Sequence, residues 1–330
     1  MPADHDLKRH RRRIYRRTIL ILAFLFLLCI NTAGLFAGTL FYNEFCVSNT
    51  RVGLERFNSL KNDLETGVRM HNWQEVSIQS RNGYTLQGTY LPNPIPTNKT
   101  ILFLHGITGS RLVGLWYADI YQNEGYNVLL YDARAHGDSG GSSSSWGYYE
   151  KTDLDQWIDW LQQQHPGGII GVHGVSMGAA TALSHAEMNE TTKKAAFYIA
   201  DSAYSDLEDL LGQQIDATIP AGPIWTALLL HYSSAAAYVQ SGFLYSYVSP
   251  VHSVTTATTP VLYLHGEADR LVPVSMCRKL YTATKGYREI HTFPGVGHGM
   301  AIFEAREDYQ QAIHRFLHNA TAKQPLPIAK

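Results

Sequence analysis

The feature that most constrains this chain is a run of twenty-five residues without a charge, Thr18 to Tyr42, set behind a strongly basic segment. A helix rises ~1.5 Å per residue, so about 20 apolar residues cross the hydrocarbon core of a bilayer. Only Asn31 and Thr32 interrupt the run. Residues 1–17 carry seven basic side chains (Lys8, Arg9, Arg11, Arg12, Arg13, Arg16, Arg17) against Asp4 and Asp6. Basic residues stay on the cytoplasmic side of a span. The expectation is a single-pass anchor over 18–42, a signal anchor of the cell membrane, with residues 1–17 a cytoplasmic tail and the remainder extracytoplasmic. Two other readings fit less well. A signal peptide cleaved after Ala37 would need a smaller residue than Leu35, and the apolar run continues past that point. A lipid-modified Cys29 would need small residues before it, where Leu27 and Leu28 stand.

The net charge of −1 conceals this asymmetry. With the seven basic and two acidic residues of the tail set aside, totals of 27 and 28 become 20 and 26, so the body is acidic. Such a body carries no nucleic-acid footprint, and the tail meets anionic lipid. Hydrophobic residues make up 45% of the chain, which excludes disorder. The cysteines, Cys29, Cys46 and Cys277, have no spacing that requires a disulfide.

Residues 43–73 are mixed polar and read as a stalk, helical over Phe57–Met70. Glu75–Ser80 and Tyr84–Leu91 then form a β pair around Arg81-Asn82-Gly83, a hairpin signal. Beyond the loop LPNPIPTN, short apolar runs (Thr100–His105, Tyr126–Asp132, Gly168–His173, Ala196–Asp201, Pro260–His265, Arg288–Phe293) alternate with helical patterns (Leu112–Glu124, Lys151–Gln164, Met177–Met188, Pro273–Thr284, Arg306–Asn319). That alternation predicts an α/β domain over 74–320, a mostly parallel eight-stranded sheet with helices on both faces. Residues 202–255 break the pattern with Ile219-Pro220-Ala221-Gly222-Pro223 and an apolar, aromatic stretch from Ile224 to Val248. An insertion this long reads as a lid. Residues 321–330 are expected to be a disordered tail.

The chemistry sits just after strands, where ligands bind in parallel sheets. The run ending at His173 leads through Gly174-Val175-Ser176-Met177-Gly178 into a helix. In that strand–turn–helix setting the serine is a nucleophile on a strained elbow, with Gly174 and Gly178 clearing the turn. A serine needs a base, and His298 follows the last strand in a Gly-flanked loop. The base needs an acid to fix its tautomer. Asp269 lies beyond the preceding strand; Glu267 and Asp201 are the competitors, Glu267 expected to face solvent and Asp201 able to serve in a rarer arrangement. The order Ser176, Asp269, His298 is that of α/β-hydrolases. For the oxyanion of a tetrahedral intermediate, the expected donors are the backbone N–H groups of Met177 and of Ile107 in His105-Gly106-Ile107-Thr108-Gly109-Ser110. This chemistry calls for no metal and no cofactor.

The segments HGITGS, YDARAHGDSGG, GVSMG, HGEADRLVP and GVGHG together resemble serine hydrolases of the α/β-hydrolase superfamily over about residues 74–319. YDARAHGDS and DSAYSDLEDLL are similar to the bacterial membrane-anchored branch related to serine aminopeptidase-like and monoacylglycerol-lipase-like hydrolases. The resemblance implies that Asp132, Arg134 and His136 are structural supports of their loop.

Three functions fit these residues. The first is an esterase or lipase-like enzyme that cleaves a carboxylic ester through an acyl-enzyme. The second is an amide or peptide hydrolase, for which Asp206, Glu208, Asp209 and Asp216 offer cap carboxylates. The third is a binding protein on a hydrolase fold, which the retained Ser, Asp and His argue against. The expected substrate is an uncharged acyl ester of modest size presented near the bilayer, in a pocket that Trp225, Leu228, Tyr238, Phe243 and Tyr245 of the insertion can line.

Overall fold

The computed structural model describes residues 2–48, 58–219 and 222–323. Residues 49–57 of the expected stalk (Phe57 among them), Pro220 and Ala221 of the insertion, and residues 324–330 of the expected tail lie outside the described residues.

The basic segment and the apolar run form one helix, α1 (Pro2–Tyr42), which a π turn extends over Asn43–Ser48. It is long and apolar enough to cross a membrane. Leu20, Phe24 and Phe26 stand more than half exposed on it. Asn31 and Thr32 are satisfied within the helix, Asn31 donating to Leu27 O and Thr32 to Leu28 O, each at 2.8 Å. The described ends of the 43–73 segment join the body. Cys46 is fully buried, and Leu64 packs inward from α2 (Asn58–Met70).

The eight strands are β1 (Gln74–Gln79), β2 (Thr85–Leu91), β3 (Lys99–Leu104), β4 (Asn127–Tyr131), β5 (Ile169–Val175), β6 (Phe197–Asp201), β7 (Val261–Gly266) and β8 (Arg288–Phe293), in the order β1-β2-β4-β3-β5-β6-β7-β8. The β1–β2 and β2–β4 pairs are antiparallel and the rest parallel. β3 lies in the middle, its residues buried from Thr100 to Leu104 because both faces are covered. Leu102 and Leu104 face one core with α4 (Glu150–Gln164), α5 (Met177–Thr192) and α9 (Val274–Ala283). Ile101 and Phe103 face the other, with α3 (Leu115–Asn123) and α11 (Arg306–Lys323).

Among the helix boundaries that depart from the sequence reading, two have a visible cause. The helix expected over Leu112–Glu124 opens as a 3₁₀ turn, Arg111–Gly114, because Asp132 takes both the backbone N–H and the guanidinium of Arg111. α11 continues three residues into the expected tail, since Phe316, Leu317 and Ala320 still meet the core.

The insertion folds as α6 (Leu207–Thr218), α7 (Pro223–Ser241), a 3₁₀ turn and α8 (Pro250–Ser253), and the short α10 (Ala301–Glu304) precedes α11. Asp206 caps α6 through Glu208 N and Asp209 N. A third apolar cluster joins α6 and α7 to Met177 and also takes in Tyr42 and Cys46 from the end of α1. The aromatic side chains expected around a pocket divide here. Phe243 and Tyr245 are fully buried in that cluster, whereas Trp225 and Tyr238 point outward, 60% and 55% exposed.

Candidate active site

β5 ends at Val175, and Ser176 turns the chain into α5 with φ 56° and ψ −117°. A left-handed φ at a non-glycine residue is costly and persists only where surroundings enforce it. Here Ser176 N donates to Asp201 O at 2.8 Å. The turn also needs the glycines: a Cβ on Gly174 would lie 2.2 Å from Gly178 O, and one on Gly178 2.3 Å from Leu104 O.

The three residues singled out in sequence meet in one line. Ser176 Oγ lies 2.9 Å from His298 Nε2, and His298 Nδ1 lies 2.7 Å from Asp269 Oδ2. The acceptor-only carboxylate makes Nδ1–H the donor, which leaves Nε2 free to accept from the serine hydroxyl. The Asp269 side chain is fully buried, and His298 is 21% exposed, open to a substrate. Asp269 Oδ1 accepts from Leu271 N at 2.9 Å and Val272 N at 2.8 Å. Burial alone would raise the Asp269 pKa, but the bonds from His265 and His298 outweigh it and hold the carboxyl below the usual range.

The competing acids are placed elsewhere. Asp201 Oδ1 accepts from Ser202 and Oδ2 from Tyr309. Glu267 faces outward and accepts from Thr292. Asp206 caps α6, Asp209 pairs with Lys279, and Asp216 takes the hydroxyl of Thr226.

Met177 opens α5, so its N–H has no carbonyl within the helix. Ile107 sits on the loop after β3, which is pinned to the loop after β4. His105 Nε2 accepts from Ala133 N at 3.0 Å, and His136 Nε2 lies 2.5 Å from Ile107 O. Asp132 receives Arg111 N and Asp138 N. Arg134 donates to Ser143 O and lies over the rings of Tyr84 and Tyr149.

The sequence model of the alpha/beta hydrolase family matches residues 101–312. The chain belongs to the alpha/beta hydrolase family. This hydrolase is 34% identical to the uncharacterized protein YqkD of Bacillus subtilis (strain 168) over 243 residues, 73% of this chain and 78% of that one. It is 27% identical to lysophosphatidylserine lipase ABHD12 of Macaca fascicularis over 207 residues, 58% of this chain and 47% of the relative. An esterase structure from Pyrococcus furiosus shares the fold, with TM-score 0.62 and 24% identity over 77% of this chain and 93% of the other.

Sequence reasoning passed over three residues of the hydrolase. His265 lies 3.3 Å from Asp269 Oδ2, and its Nε2 is 2.8 Å from Val272 O. It ends an apolar strand four residues before Asp269, so its position was the available signal. Ser202, with φ 56°, accepts from Gly299 N at 3.2 Å and steadies the loop that carries His298. Tyr309 donates to Asp201 and also contacts His173, whose other nitrogen accepts from Tyr121. No local pattern marks this chain of contacts, because its members come from four separate elements.

Proposed function

We propose that this hydrolase cleaves carboxylic esters through an acyl-enzyme. The observation that carries the reading is the hydrogen-bonded line from Ser176 through His298 to Asp269 at the strained elbow. In this reading His298 takes the Ser176 proton as Oγ attacks the ester carbonyl. The N–H groups of Met177 and Ile107 receive the developing oxyanion, and Asp269 holds the imidazolium. His298 then protonates the departing alcohol, and the same base activates water to release the acid. The lipase relative favours an ester, and three of the cap carboxylates that an amine-binding pocket would use, Asp206, Asp209 and Asp216, are engaged as cap, ion pair and hydroxyl acceptor. We propose an uncharged acyl ester as substrate and assign the extracytoplasmic side of the cell membrane as its place, with α1 as the uncleaved anchor. The packing of Asn31 and Gly34 against Tyr232 supports retention, because cleavage after Ala37 would remove both from the body.

A fluorophosphonate probe on the wild-type protein, with panels of esters and aminoacyl amides, tests the chemistry. Labelling at Ser176 with faster ester turnover is expected; faster amide turnover would replace the ester reading. Protease added to right-side-out vesicles tests the topology. Complete protection of the body until lysis would reverse it.

A further inference from the structure

α7 of the insertion runs beside α1. Tyr232 Oη donates to Asn31 Oδ1 at 3.1 Å. A Cβ on Gly34 would fall 2.3 Å from the Tyr232 ring, and one on Gly38 2.4 Å from the Tyr232 backbone. Tyr42 Oη reaches Ser241 Oγ at 2.5 Å. Contacts therefore advance along both helices in the same direction, and two glycines allow the backbones to close together. From Ser233, next to Gly38, α7 extends back ten residues to Pro223, about 15 Å at the helical rise. The N-terminal half of α7 thus lies at the level of the middle of the apolar run.

That half exposes Ile224, Trp225 and Leu228, at 75%, 60% and 42%. A helix facing water carries charge on its outer face. Here no Asp, Glu, Lys or Arg occurs between Asp216 and Glu267. His231, stacked edge-on against Tyr232, is the one titratable imidazole on α7. Of the carboxylates on α6, Asp216 accepts the Thr226 hydroxyl, and Glu208 lies within electrostatic reach of His231. Leu27, Leu28 and Ile30 on the adjacent α1 are likewise exposed, so a medium that wets one helix wets the other.

We infer that α7 is embedded in the bilayer with α1. The two helices form a pair whose outer face lies among the acyl chains of the extracytoplasmic leaflet. This rests on the reading of α1 as a membrane anchor. It makes the lid a lipid-contacting element, so that an acyl chain reaches the site from the leaflet and not from water.

The test uses the full-length chain with Cys29→Ser, since Cys46 and Cys277 are buried. Single cysteines replace Ile224, Leu228, Phe26 on α1 and Ile95, an equally apolar residue 76% exposed on the loop before β3. Each carries an NBD fluorophore in phosphatidylcholine vesicles containing nitroxide-labelled phosphatidylcholine. The expected result is loss of emission at positions 224 and 228 comparable to that at 26, with emission at 95 retained. Quenching at 26 but not at 224 and 228 would overturn the inference and leave the anchor standing. No quenching at 26 would overturn both. Unquenched emission at 224 with disulfide crosslinking between copies through that position would assign the face to a second copy, and so overturn it as well.

Discussion

Asp269 Oδ2 lies 3.3 Å from His265 Nε2 and 2.7 Å from His298 Nδ1. One buried carboxylate oxygen therefore faces two imidazoles, of which only His298 reaches the serine. Burial works against a charge on His265, yet its bond to Asp269 raises its pKa overall. The two imidazoles together thus hold Asp269 as an ionised acceptor.

Replacing Asp269 with Asn should lower kcat on a soluble ester by about 10⁴, because an amide can present a donor to Nδ1 and turn the imidazole to the wrong tautomer. Asp201→Asn should lose far less activity while lowering the melting temperature, since one of the two oxygens that accept from Ser202 and Tyr309 would become a donor. Equal losses in the two variants would return Asp201 to the role of orienting acid.

Ser176→Ala should cost on the order of 10⁴–10⁶ in kcat, since members of such a triad act as a unit. The same change should leave the circular dichroism spectrum intact and abolish fluorophosphonate labelling. Substantial turnover by this variant would remove Ser176 as nucleophile.

Acid should destabilise the fold early. Burial pushes His173 and His105 down to about 3, the nearby His136 adding to the effect at His105. In the unfolded chain each takes a proton near pH 6.5. Their stabilisation is therefore full above pH 6.5 and is lost progressively as pH falls toward 3. His265, whose pKa is raised, holds its full contribution throughout that range and does not tilt it. Melting temperatures between pH 7 and 4 should fall, and His173→Gln should flatten the slope. An unchanged slope in that variant would exclude His173 as a source.

Gly38→Leu should separate α1 from α7, because the added side chain meets Tyr232 backbone and not a movable tip. Overpacking of this kind costs about 1–3 kcal/mol. A fall of several degrees in the melting temperature of the detergent-solubilised protein is expected, while the body without α1 contacts should keep turning over a soluble ester. A melting temperature equal to the wild type would show that the two helices do not depend on each other.

Much of the domain was readable because its signals are local. Continuous apolar runs of strand length fixed the parallel sheet, and the glycines at 174 and 178 marked a turn that admits no side chain. His298 and Asp269 could be placed because each follows a strand at the sheet's carboxyl end. The partners of the insertion were not readable. An apolar side chain serves a core, a pocket or lipid equally well, so Phe243 and Trp225 look alike in sequence and part company only in three dimensions. Gly34 and Gly38 likewise pass for ordinary small residues of an apolar run until Tyr232 is seen against them.

Cys46 is fully buried four residues beyond the end of α1, and its carbonyl accepts from Ser144 N at 2.8 Å. A swivel needs free backbone, and at this junction the backbone is committed. On the proposed reading of α1 as an anchor, the body would meet the membrane in one preset pose, its azimuth locked to the rotation of α1. Trimming the chain after Tyr42 to obtain a water-soluble enzyme would then do more than remove a tether. It would strip one wall from α7 and leave Ser241 without its tyrosine, so a useful truncation must replace that wall as well.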